Sequence, residues 1–183
     1  MAPVAAVVLA LAALLPGVAQ SASCPESLDF ELRPLTAEEP VRLCDAHRDQ
    51  VLLMVNTASK CGFVGQFEGL EALDAEFRDR GFRVVGFPSG DFLNQEYEDE
   101  ERIDNFCRST YGVQFPMYEK VNASRGNAAP GTLYHYLGSA AGEFPRWNFH
   151  KYLIGRDGEV LASFGTRVRP DDPSIRAAIR SAL

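Results

Sequence analysis

Cys61 is the residue of this chain best placed to do chemistry. It follows a short apolar run, Val51 to Val55, and a small polar turn, and it stands just before a helical pattern that opens at Gln66. A thiol between a buried strand and a helix start meets free backbone N–H groups and the positive end of the helix dipole, and both favour the thiolate. Lys60 adds positive charge beside it. The thiolate is the reactive form in sulfur redox chemistry. A small, buried, inert cysteine is the competing reading, and position alone does not separate the two. Gly62, Phe63 and Val64 follow, so there is no Cys-x-x-Cys pair and a dithiol exchanger is disfavoured. A lone nucleophile that reacts with an oxidant fits better.

The elements that must hold such a thiol are legible as α/β. Val51 to Val55 reads as a buried central strand. Gln66 to Arg80 spaces Phe67, Leu70, Leu73 and Phe77 along one helical face, and Gly81 ends it. Phe82 to Phe87 is a second strand, closed by Pro88. Asp99 to Tyr111 predicts a helix with Ile103, Phe106 and Cys107 on its apolar side, and Thr132 to Leu137 belongs to another. Phe115 to Val121 is expected to be extended. Gly155-Arg156-Asp157-Gly158 is a hairpin turn between Lys151–Ile154 and Glu159–Phe164. Asp172 caps a last helix with Pro173 at its first position. The order predicts a mixed sheet with helices packed on it.

The composition sets limits. The 183 residues carry a net charge of −7, with 46% apolar and 23% charged side chains, a mix that builds a core and excludes a disordered chain. An acidic balance argues against a nucleic-acid partner, which needs a basic face. Residues 1–23 hold no charged side chain, and the apolar run Val4 to Leu15 is shorter than the roughly 20 residues that cross a bilayer. They read as a secretory signal peptide, leaving residues 24–183 as one domain, periplasmic or secreted, with no stable membrane insertion once the signal is removed. Export makes disulfides available.

Three segments together resemble a known family. Val55-Asn56-Thr57-Ala58-Ser59-Lys60-Cys61-Gly62-Phe63 is similar to the active-site signature of glutathione peroxidases in their cysteine-containing, bacterial-type form. Gly86-Phe87-Pro88 followed by Asn94-Gln95-Glu96 resembles their second motif, and Arg146-Trp147-Asn148-Phe149 followed by Lys151-Tyr152-Leu153-Ile154 the third. The resemblance implies a thioredoxin-like fold and a catalytic tetrad of Cys61, Gln95, Trp147 and Asn148. It implies a thiol-dependent peroxidase that reduces hydrogen peroxide or organic hydroperoxides through a cysteine sulfenic acid, in defence against oxidative stress. No bound cofactor or metal is implied; a thiol reductant, glutathione or a thioredoxin-like protein, is the co-substrate. The short span from Val121 to Arg146 suggests a monomer. The chain departs from the family at Ser89-Gly90-Asp91, where Cys-Asn-Gln is usual, at Leu93 and Asn94, and at Val64-Gly65, where the family has Thr-Pro.

Cys107 lies in the region where many cysteine-type members carry a resolving cysteine, one residue before the position used in plant-type members, and it reads equally as a buried helix cysteine. Cys24 and Cys44 form a structural disulfide in this scheme. A Cys44/His47 metal site is the alternative, but His135 and His150 join no cluster with them. The charged run Glu96 to Arg102 reads as a solvated loop and helix start. Two other functions compete: a thiol-disulfide oxidoreductase or isomerase using Cys61 with Cys107, and a non-catalytic member of the fold. The peroxidase scheme needs Gln95, Trp147 and Asn148 to converge on a Cys61 that peroxide can reach.

Overall fold

The computed structural model describes residues 24–183, so the expected signal peptide at 1–23 lies outside the described residues. A two-residue antiparallel pair, β1 (Glu31–Leu32) and β2 (Val41–Arg42), leads into a one-turn helix, α1 (Leu43–Ala46). The main elements follow as β3 (Val51–Thr57), α2 (Gln66–Phe77), β4 (Phe82–Pro88), α3 (Glu100–Tyr111), α4 (Leu133–Ala140), β5 (Lys151–Ile154), β6 (Val160–Phe164) and α5 (Pro173–Ala182). The four long strands form one sheet in the order β4-β3-β5-β6. β3 and β4 run parallel, as a strand–helix–strand unit requires, and the other neighbours are antiparallel.

Every residue of β3 is buried, because both faces of the sheet are covered. Val51, Leu53 and Val55 face one way, into a core with Phe67, Leu70, Leu73 and Phe77 of α2, Ile103 and Cys107 of α3, and Ile175 and Ile179 of α5. Leu52 and Met54 face the other way, against Leu43 of α1 and Leu133, Tyr134 and Leu137 of α4. The period-two alternation along one strand thus builds a three-layer sandwich, the thioredoxin-like architecture.

Local chemistry sets the boundaries. α2 runs into a 3-10 turn and stops at Gly81, whose φ of 82° suits glycine. The Asp99 side chain accepts the Arg102 N–H to cap α3, and Asp172 accepts the Ser174 N–H to cap α5. Residues 115–121 lie extended beside β4, where the Gly86 N–H donates to Pro116 O and the Tyr118 N–H to Gly86 O. A Cβ on Gly86 would sit 2.2 Å from Met117 Sδ, so any larger residue there would have to displace the Met117 side chain.

Cys24 and Cys44 are disulfide-bonded, with Cα atoms 5.8 Å apart. The bond takes the Cys44 sulfur away from any metal site with His47. The His47 ring instead contacts the Tyr118 hydroxyl at 2.9 Å and Gln50 Oε1 at 3.2 Å. The bridged cysteines are 20 positions apart, a loop for which chain-entropy arguments give about 3 kcal/mol of stabilisation. A Cys24→Ser/Cys44→Ser variant is expected to lose roughly that much in a urea titration. A midpoint unchanged from wild type would assign the bridge no stabilising part.

Candidate active site

Cys61 sits in the turn between β3 and α2, five residues before the helix opens at Gln66. The Phe63 N–H donates to its sulfur at 3.5 Å, so a backbone dipole does meet Sγ, supplied by the turn rather than by the helix end itself. The turn is fastened to a second segment. The Lys60 N–H donates to Gln95 O at 2.8 Å. The Ser59 N–H donates to Glu96 Oε1 at 3.1 Å, and the Tyr97 N–H to the same oxygen at 2.8 Å. Glu96 is therefore a buried clamp, 1% exposed, and not part of a solvated charged run as its sequence neighbourhood suggests. Burial raises its carboxyl pKa above the usual range, against the pull of the Ser59 and Tyr97 hydrogen bonds.

The third segment comes from just before β5. Asn56, at the end of β3, gathers it: its Nδ2 donates to Trp147 O at 3.1 Å, its O accepts the Phe149 N–H at 2.7 Å, and its Oδ1 accepts the His150 N–H at 3.1 Å. Phe149 holds a φ of 62° and buries its ring edge-on against Phe67 at 5.3 Å. A left-handed phenylalanine costs about 1–2 kcal/mol, and it turns this chain so that Asn148 faces the Gln95 loop. Asn148 Nδ2 donates to Gln95 Oε1 at 3.1 Å. With that oxygen occupied, the Gln95 Nε2 donors remain for a ligand. The Trp147 ring packs on Phe92 at 5.8 Å. Trp147 also shares with Phe63, Thr166 and Arg167 a hollow of about 280 Å³ beside the Cys61 turn.

Hydrogen bonds tie the 94–97 loop both to the Cys61 turn and to Asn148, and the amide pair is in contact. Cys61 itself is covered, 2% exposed and packed into the core below α2, whereas its neighbours Gly62 and Phe63 are exposed. The thiol that the peroxidase scheme needs peroxide to reach is thus almost fully covered, with exposed Gly62 and Phe63 next to it in the turn. Cys107 is fully buried on α3, and burial pushes its thiol up to about 12, with the Glu96 charge adding to the shift. Among the described residues no group of three or more His, Cys, Asp or Glu side chains stands ready to hold a metal.

Three supporting residues escaped the sequence reading. Glu96 is one, and its only signal was its position directly after Gln95. Lys151 is buried completely at the head of β5 and donates to Gln66 Oε1 at 2.5 Å and Val168 O at 2.7 Å. A lysine opening an otherwise apolar strand was the available hint. His150 donates its Nε2–H to Ser163 Oγ at 2.8 Å, because that hydroxyl spends its own proton on Glu143 Oε2 at 3.0 Å.

Burial lowers the His150 pKa to about 4 from its usual 6.5. The unfolded chain then takes up a proton below pH 6.5 that the folded chain refuses until about pH 4, so stability falls as pH drops through that window. The loss from this group is expected to be roughly 3 kcal/mol. Glu96 and Asp74, whose carboxyls burial pushes up, act in the opposite sense, so the test is a comparison. The wild-type urea midpoint should fall between pH 6.5 and 4 by more than that of His150→Gln. Equal slopes would remove His150 as the cause.

The sequence comparisons agree with this geometry. Residues 28–138 match the family model described as glutathione peroxidase. The glutathione peroxidase homolog BsaA of Halalkalibacterium halodurans is 43% identical over 146 residues, covering 78% of this chain and 90% of that protein. The hydroperoxy fatty acid reductase gpx1 of Synechocystis is 44% identical over 143 residues, covering 73% of this chain and 83% of that protein. In three dimensions the apo form of Trgpx superposes with a TM-score of 0.64 at 31% identity, covering 85% of this chain and 94% of that one. A match over most of the domain in sequence, joined to the same fold, leaves one assignment: this chain belongs to the glutathione peroxidase family.

Proposed function

We propose that Cys61 is the peroxidatic residue of a thiol-dependent peroxidase, with Gln95, Trp147 and Asn148 as its polar partners. The single observation that carries the assignment is the Asn148–Gln95 hydrogen bond, which brings amides from segments 53 residues apart to the loop fastened to Lys60. The Cys61 thiolate attacks one oxygen of the hydroperoxide, the O–O bond breaks, and sulfur becomes a sulfenic acid. The departing oxygen takes a proton and leaves as water or alcohol. Amide and indole N–H groups are donors at neutral pH and favour the oxyanion as it develops.

Two equivalents of external thiol complete the cycle. The first displaces water from the sulfenic acid to give a mixed disulfide, and the second releases the Cys61 thiolate and the oxidised donor. No bound cofactor enters. The donor is glutathione or a thioredoxin-like protein. Cys107 is the candidate resolving residue. Bridging it to Cys61 requires α3 to open, because its thiol is protonated and covered in the folded chain. The Cys24–Cys44 disulfide supports an oxidising compartment, hence export after removal of residues 1–23, and the short span from Val121 to Arg146 supports a monomer.

Mass spectrometry of the exported protein after one equivalent of cumene hydroperoxide tests these assignments together. A chain beginning near Cys24, an intact Cys24–Cys44 bridge and one oxygen added at Cys61 are expected. A Cys61–Cys107 disulfide would place resolution within the chain. Unmodified Cys61 with unconsumed hydroperoxide would defeat the peroxidatic assignment.

A further inference from the structure

Lys151 is the buried charged group that peroxide chemistry leaves unused, and its surroundings are unusual. It stands opposite Val55 in the β3–β5 register, and directly opposed residues share a sheet face. Val55 belongs to the core that also holds Cys61. The lysine side chain is 0% exposed, and both its hydrogen-bond acceptors are uncharged oxygens. Burying an ammonium against neutral acceptors works against stability. An apolar side chain of the same length would avoid that cost.

The hydrogen bonds leading away from it end at the tetrad. Lys151 Nζ donates to Gln66 Oε1 and to Val168 O. Gln66 Nε2 donates to Thr166 O at 2.8 Å. Thr166 Oγ1 donates to Asn148 O at 2.7 Å, and Asn148 Nδ2 donates to Gln95 Oε1 at 3.1 Å. Thr166 and Arg167 are also walls of the hollow that Phe63 and Trp147 complete.

Resting on the peroxidatic assignment of Cys61, we infer that Lys151 is a positioning residue for the peroxide-reducing step: it holds the 166–168 segment, and through Thr166 it sets the Asn148–Gln95 pair. Its burial, which brings its pKa down to about 7, fits a group kept for placement rather than for stability. The chain of bonds touches the oxidative step only. Reduction of the sulfenic acid by a small thiol does not draw on the amide pair in the same way.

The two half-reactions can be timed separately in the mature chain. Stopped-flow oxidation by hydrogen peroxide gives the first, and reduction of the oxidised protein by dithiothreitol gives the second. For Lys151→Met the oxidative rate constant is expected to fall at least about tenfold, the scale of a displaced donor. Its reductive rate should stay within twofold of wild type and its melting temperature within about 5 °C. Thr166→Val, which cuts the chain further along, should slow oxidation in the same selective way.

An oxidative rate within twofold of wild type in Lys151→Met overturns the inference. So does an equal fall in both half-reactions, which marks general damage. Should Lys151→Met not fold, Thr166→Val decides alone: unimpaired oxidation overturns the inference, and a selective loss supports it. A wild-type chain that peroxide does not oxidise would overturn the function proposed for Cys61 and this inference with it, whereas a competent wild type beside an unaffected variant overturns this inference only.

Discussion

Replacing Cys61 by serine is expected to lower peroxide consumption at least about a thousandfold, with dithiothreitol as donor and the fold retained. The exchange changes one atom at a covered position, so far-UV circular dichroism should match wild type. The chemical difference is large. An alcohol does not ionise near neutrality and has no accessible sulfenic acid state, so both the attack and the stored oxidation are lost. Cys107→Ser is the matched control. Its first turnover should equal that of wild type, because a thiol held at about 12 is not the nucleophile. Residual activity within tenfold of wild type in Cys61→Ser, or loss of the first turnover in Cys107→Ser, would move the chemistry to another sulfur.

The second large effect is expected at the amide pair. Asn148→Leu keeps the volume and removes the donor to Gln95 Oε1. The Gln95 side chain then loses the contact that aims its Nε2 group. Removing a preorganised donor of this kind costs about 10²-fold in the step it serves. The fall should appear in the peroxide half-reaction. Gln95→Leu should cost a similar factor, and the double variant little more than either single one, because the two side chains share a hydrogen bond and act as a unit. Multiplying factors in the double variant would show that Asn148 and Gln95 work independently, against the geometry.

The parts of this structure that local chemistry controls were legible in the sequence. α2 appears in the spacing of Phe67, Leu70, Leu73 and Phe77, with its end written by Gly81. α3 and α5 begin where Asp99 and Asp172 can accept a backbone N–H. The β5–β6 hairpin follows from Asp157-Gly158, with Gly158 at a φ of 84°. The resemblance of three motifs to the glutathione peroxidases singles out Cys61, Gln95, Trp147 and Asn148, the four residues of the proposed site.

What stayed hidden was set by partners far away in the chain. Glu96 sits in an acidic stretch, and the Ser59 N–H, 37 residues earlier, joins the adjacent Tyr97 N–H in holding its carboxylate inside. Lys151 looks like a surface charge until Gln66, 85 residues away, receives its ammonium. Cys61 likewise belongs to the core shared by α2, α3 and α5, a membership that no local pattern at position 61 shows. Local patterns carry no record of such pairings, so the positioning residues were found in three dimensions only.

The reach of Asn56 toward His150, across 94 positions, has a bearing on how the protein is made. Synthesis proceeds from the amino end, so the Cys61 turn emerges long before the strand that completes its surroundings. During that interval β3 has no antiparallel neighbour, and no Trp147 or Asn148 stands near the thiol. A nascent chain in an oxidising space would then expose every one of its sulfurs at once, free to cross-link in the wrong combination. For the exported chain proposed above, late arrival of the last third makes correct oxidation a race, won when the carboxyl-terminal hairpin docks before a stray bridge forms.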